Sequence, residues 1–184
     1  MRRLMLASVG ILLLPAMTAA QTDQAALDKA LAPMPERARA TTMVIRWNAD
    51  HSYDVLQEGT NRMVCFDRSD EPRRAPFDVQ CTSVGNLERV AQNRRARSLH
   101  PDDRAAEEAW LQEQEEAGTR VLPEYGSLWI AMRGQEREGA GIHTTIALPM
   151  ATPESTGFTT DRSLGGAYLM AEGTSTAHLM IPGR

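Results

Sequence analysis

The sequence predicts an α+β fold: a mainly antiparallel sheet with an inserted helix pair, in a single domain, with one disulfide. Three observations predict it. Alternating apolar runs fill residues 41–81, helical spacing replaces them over 85–118, and alternation returns over 125–181. The chain holds two cysteines, Cys65 and Cys81, separated by a charged stretch.

The N-terminus sets the compartment. Met1-Arg2-Arg3 precedes an apolar run over residues 4–14, and Thr18-Ala19-Ala20 supplies a small-residue cleavage site before Gln21. This order of charged, apolar and small residues predicts a signal peptide over residues 1–20 and an exported, periplasmic or extracellular protein. The apolar run is too short to span a bilayer, and no later run is longer, so no membrane span is expected after cleavage. In an exported chain two cysteines read as one disulfide, and closing a loop of about fifteen residues is worth about 3 kcal/mol. Cleavage leaves residues 21–184, enough for one core. It also removes Arg2 and Arg3 from 20 basic residues set against 24 acidic ones, so the mature chain is acidic. That charge, with an aromatic content of 5%, argues against nucleic acid as a partner.

Residues 21–40 read as an N-terminal arm or a short helix that stops before Pro33 and Pro35. The domain proper is expected over 41–184. Met43, Ile45 and Trp47 alternate with Val44 and Arg46, which marks a first strand. Asn48-Ala49-Asp50-His51 is a turn cluster. Tyr53, Val55 and Leu56 mark a second strand, and Met63 to Phe66 a third. The Glu58-Gly59-Thr60-Asn61 turn between them reads as a hairpin, so the three runs suggest an antiparallel meander. Asp67, Arg68, Asp70, Glu71, Arg73 and Arg74, with Pro72 and Pro76, read as an exposed loop tied at its base by the disulfide. A fourth strand follows from Phe77 to Cys81.

Gly85-Asn86 opens a helix carrying Leu87, Val90, Ala91 and Leu99. Its Arg94, Arg95 and Arg97 are either an anion-binding patch or part of a solvated basic helix facing an acidic one. The net charge favours the second reading. Pro101-Asp102-Asp103 opens the acidic helix, with Ala105, Ala106, Ala109, Trp110 and Ala117 expected inward and Gly118 as its stop. Strands return at 127–132, 142–148, 167–170 and 177–181, with a loop over 149–160.

Several of these residues also carry a likeness. Trp47 near the end of an early strand, Gly59-Thr60-Asn61 four residues before Cys65, Cys81, Thr152-Pro153-Glu154-Ser155-Thr156-Gly157, and Ala177-His178-Leu179-Met180-Ile181-Pro182 occur in an order that resembles a family of exported bacterial proteins of unknown function. The resemblance spans most of the mature chain. It implies export and one compact domain, and brings no catalytic or cofactor residue with it.

Candidate chemistry is thin. The four histidines, His51, His100, His143 and His178, form no His-Glu-x-x-His or Cys/His zinc spacing. His51 and His100 sit beside turns and are expected exposed. His143 and His178 lie in late strands, where adjacent pairing would bring them within reach of a divalent metal, with Glu154 or Asp161 as a further ligand. Ser155 follows a strand but lacks the Gly-x-Ser-x-Gly frame, and turn hydrogen bonding is its simpler role. Gly139-Ala140-Gly141 precedes a strand, which is no phosphate loop. No cofactor is expected. The functional expectation is a non-enzymatic binding domain of the periplasm or envelope, holding a small ligand or an envelope protein where the 149–160 loop meets His143 and His178. The alternatives are a hydrolase using His143, His178, Glu154 and Ser155, with or without a metal, and a structural envelope component.

Overall fold

A computed structural model describes residues 23–182; the signal-peptide expectation lies outside them. The fold is α+β, with a mainly antiparallel eight-stranded sheet, an inserted helix pair and the Cys65–Cys81 disulfide. The strands are β1 (Met43–Trp47), β2 (Tyr53–Gln57), β3 (Met63–Asp67), β4 (Phe77–Ser83), β5 (Leu128–Gly134), β6 (Gly141–Ala147), β7 (Tyr168–Met170) and β8 (His178–Ile181). Their order across the sheet is β2-β1-β3-β4-β5-β6-β8-β7.

This order corrects the meander. β2 pairs with β1 in antiparallel fashion, but β3 lies on the other side of β1 and runs parallel to it. The stretch around Gly59 is therefore a crossing past the start of β1 and not a hairpin turn. A β-carbon on Gly59 would stand 2.2 Å from the Met43 amide nitrogen, so close approach to another backbone demands glycine. Thr60 and Asn61 backbone N–H groups donate to Thr41 O at 2.7 and 3.1 Å. The Asn61 side chain donates to Thr42 Oγ1 at 2.8 Å and accepts from Met63 N–H at 2.9 Å, which fixes the entry to β3.

Each face of the β1, β3 and β4 layer has its own cover, while the edge strand β2 leaves Tyr53 and Val55 exposed. Residues 23–30 are helical (α1) and lead to a turn in which Leu31 and Met34 are buried. Ala30, Leu31 and Met34 pack on Val44, Cys65 and Cys81. On the other face Ile45, Trp47, Val64 and Phe66 pack beneath Leu87 and Val90. Those two belong to α3 (Leu87–Leu99), which follows a short helix α2 (Glu36–Arg39) in chain order. Cys65 and Cys81 face each other across β3 and β4 with Cα atoms 4.0 Å apart, both fully buried. The disulfide thus joins mid-strand positions inside the core; it does not tie a loop at its base. Asn86 does not cap α3. Its buried amide donates to Thr82 Oγ1 and Ser127 Oγ and accepts from Glu124 N–H, joining β4 to the entry of β5.

The second helix of the pair, α4 (Arg104–Glu116), starts just after the Pro101-Asp102-Asp103 stretch expected to form its first turn, with the Asp103 side chain accepting from Ala106 N–H at 3.0 Å as its cap. Gly118 ends it at φ 69°. Arg97 meets Glu107 while Arg120, beyond α4, donates to Gln92 and Asn93, so the helices run antiparallel. The inward face differs from expectation. Ala105, Ala109 and Ala117 are exposed, and Glu107 is the buried residue of α4. The reason is charge: α4 docks through ion pairs to arginines and not through an apolar stripe.

The loop over 67–76 is the largest correction. It was expected to be exposed, yet Arg68 and Glu71 are buried. Arg68 donates to Asp78 Oδ1 at 2.5 Å. Glu71 accepts from Arg74 at 3.2 Å, from Arg94 at 2.5 Å, and from Arg97. The loop is folded inward because its carboxylate is the counter-charge that α3 needs. Among the described residues no helix is long and apolar enough to cross a membrane.

Candidate functional site

The structure places the late-strand histidines apart. Ala147 pairs with His178 across β6 and β8, so His143 and His178 share a face but lie four residues of strand apart, roughly 13 Å along it. His143 Nε2 is 3.3 Å from Arg133 Nη2, and burial, aided by that guanidinium, lowers its pKa. His178 Nδ1 lies 2.8 Å from Thr176 O. Glu154 and Ser155 lie in a single helical turn, α5 (Pro153–Thr156), within what was read as loop. Thr152 and Ser155 cap it reciprocally: Ser155 N–H donates to Thr152 Oγ1 at 3.3 Å, and Thr152 N–H donates to Ser155 Oγ at 2.9 Å. Glu154 is exposed. Asp161 caps the next turn by accepting from Ser163 N–H at 2.8 Å. Ala151, just before α5, joins Leu169 and Leu179. Leu179 alternates with His178 along β8, so Ala151 packs on the face the histidines leave. Among the described residues, no three His, Cys, Asp or Glu side chains gather as a metal site requires.

The arginines of α3 are neither a free patch nor a solvated face. Arg94 and Arg97 are drawn into Glu71, while Arg95 stays exposed. Arg94 also stacks over the Trp47 ring, its guanidinium carbon 5.3 Å from the ring centroid.

Trp47 leads to a recess that the sequence reading did not single out. The turn between β1 and β2 is fixed by its own side chains. Asn48 N–H donates to Ser52 O at 2.8 Å and His51 N–H to Asn48 O at 3.1 Å. Asp50 Oδ1 accepts from both Ser52 N–H and Ser52 Oγ, and these two bonds hold the Asp50 carboxyl below its ordinary pKa. The turn closes with His51 at φ 68°, a left-handed conformation that glycine would adopt without strain. His51 is half-buried, contrary to expectation, and burial together with Arg94 and Arg95 lowers its pKa.

His51, Trp47 and Tyr53 form one wall of a cleft of about 540 Å³, with Leu87 and Ala91 of α3 opposite and Glu88 at the edge. Tyr53 stands edge-on to Trp47, centroids 5.6 Å apart. Trp47 Nε1 and His51 Nδ1 are themselves buried, without a hydrogen-bond partner and without surface that opens on the cleft. A volume in the few-hundred Å³ range, an aromatic wall and a small number of polar groups are what a small-molecule site needs.

In the sequence, Trp47 at a strand end and His51 in the next turn were visible separately. A histidine where a turn favours glycine was the available signal, but its φ is set only by the folded turn. No family model, curated protein or solved structure matches the chain.

Proposed function

We propose that this chain is an exported, non-enzymatic binding domain, of the family it resembles, and that it holds a small planar ligand between Trp47, His51 and Tyr53. The observation that carries the reading is the cleft of about 540 Å³ itself, lined by the aromatic rings of Trp47, His51 and Tyr53. The polar groups that line it, Ser52, His51 and Glu88, suit a ligand that carries a hydroxyl or carbonyl oxygen. The apolar wall of Leu87 and Ala91 suits a flat carbon skeleton. The Cys65–Cys81 disulfide supports export, because such bonds persist in oxidising compartments. The placement of His143, His178, Glu154 and Ser155 lends no support to the hydrolase alternative.

The test is a titration of ¹⁵N-labelled protein with hydroxyl- and carbonyl-substituted indoles and benzenes. The expected result is a shift of the Trp47 indole N–H and the His51 ring resonances, with the His51 shift lost in Trp47→Phe. A panel that leaves both resonances unmoved overturns the site. Mass analysis of the exported protein tests the rest: a mature N-terminus at Gln21 is expected, and a retained Met1 overturns the export reading.

A further inference from the structure

Apart from the Trp47 recess, another cleft of about 500 Å³ opens between the 72–74 segment, α3, α4 and β5. Five guanidiniums reach it: Arg73, Arg74, Arg97, Arg104 and Arg133. Two carboxylates line it, and both are occupied. Glu107 accepts from Arg73 and Arg97, and Glu108 accepts from Arg104 at 2.8 Å.

Beneath the cleft lies a buried ion network, and cleft and network taken together do not balance in charge. Arg68 and Arg94 add to the five arginines above, while Asp70, Glu71 and Asp78 add to Glu107 and Glu108. Seven arginines thus face five carboxylates, a surplus of two positive charges. The surplus concentrates at Arg74 and Arg133. Arg74 reaches Glu71 only through Nε at 3.2 Å, and its Nη1 stands 3.9 Å from Asp78, which Arg68 already holds. Arg133 pairs with Asp78 in the β4–β5 register, yet among the described residues no carboxylate lies within ion-pair distance of it. Its hydrogen-bond partner is the His143 ring. The crowding is felt inside: burial and the neighbouring Arg74 push the Arg68 guanidinium down to about 10.

We propose that this cleft is a binding site for a phosphomonoester, with Arg74 and Arg133 as the principal forks on its phosphoryl oxygens. One such group carries about −1.5 to −2 at neutral pH, which matches the surplus of two. Arginine forks that converge from a loop and a strand suit an anion with several oxygens around one centre. The cleft is larger than bare phosphate requires, which leaves room for the esterified body.

The experiment is calorimetric titration of the mature chain with inorganic phosphate, glycerol 3-phosphate and citrate at constant ionic strength set by sodium chloride. Arg133 is exposed and outside the buried network, so Arg133→Gln keeps the fold, which its thermal midpoint checks. Glycerol 3-phosphate is expected to bind more tightly than phosphate, and Arg133→Gln to weaken both about tenfold. His51→Gly, in the other recess, is expected to leave both affinities unchanged. Absence of binding beyond the chloride background, citrate binding as tightly as the phosphoryl probes, or an unchanged affinity in Arg133→Gln would each overturn the proposal.

Discussion

The two halves of the sheet carry similar alternating sequences but reach different degrees of burial. In β3 and β4, Val64, Cys65, Phe66, Val79 and Cys81 are fully enclosed. In β5 and β6 most positions are only half-buried, and Leu128 at the start of β5 and Ile181 at the end of β8 are exposed. The cause is cover. The first half has α1 with its following turn on one face and α3 on the other. The second half builds its own small cluster from Leu148, Ala151, Leu169, Ala177 and Leu179, in loops and short strands. Apolar alternation prescribes a strand; how much that strand contributes depends on what lands on it. The Trp47 recess lies in the covered half, while the arginine cleft spans the seam between the halves, with Arg74 just before β4 and Arg133 on β5.

The sharpest way to break this contrast is at Glu71. Glu71→Gln removes the charge on which Arg74, Arg94 and Arg97 converge and leaves buried guanidiniums uncompensated. The expected loss is about 3–5 kcal/mol in urea unfolding, and a loss below about 1 kcal/mol would show that water enters the network freely. The next effect is the disulfide. Replacing Cys65 and Cys81 together by alanine is expected to remove about 3 kcal/mol. Hydrogen exchange on the oxidised protein should show β3 and β4 amides opening only with the whole fold, while β6, β7 and β8 open earlier. Uniform exchange across the sheet would erase the distinction between the halves.

The smallest effect has the opposite sign. His51→Gly relieves the left-handed strain and is expected to stabilise by about 0.5 kcal/mol, while abolishing ligand shifts at Trp47. It also carries a pH signature. The folded pKa of His51 lies below its ordinary 6.5, because burial, Arg94 and Arg95 together outweigh Asp50 and Glu71. Its contribution is therefore complete above pH 6.5 and declines as pH falls through the folded pKa. Thermal midpoints at pH 7.5 and pH 5 should differ more for the native chain than for His51→Gly, and equal differences would remove His51 as a source.

Much of the fold was legible because it is written in near neighbours. Strand alternation, the stop at Gly118 and the cysteine pair each depend on spacing within a few residues or on there being a single partner to choose. The candidate site was not legible in this way. His143 and His178 were chosen on the expectation that neighbouring strands bring them together, and the register sets them four residues apart. His51 reads in the sequence as an exposed residue beside a turn, and its half-burial follows from bonds among Asn48, Asp50 and Ser52 that form only when the turn closes.

The sequence by itself determined where the strands of the sheet and the inserted helix pair lie, and which sulfurs join, because those properties follow from local periodicity and composition. Only the tertiary structure decided that β3 runs parallel to β1, that a charged loop turns inward, and that Trp47 meets His51 in a recess. Each of these rests on contacts between residues far apart in the chain: Gly59 against Met43, Glu71 against Arg94 and Arg97, Trp47 against α3. The free energy of such contacts comes from burial and charge compensation, which belong to the assembled surfaces and not to any single stretch of sequence.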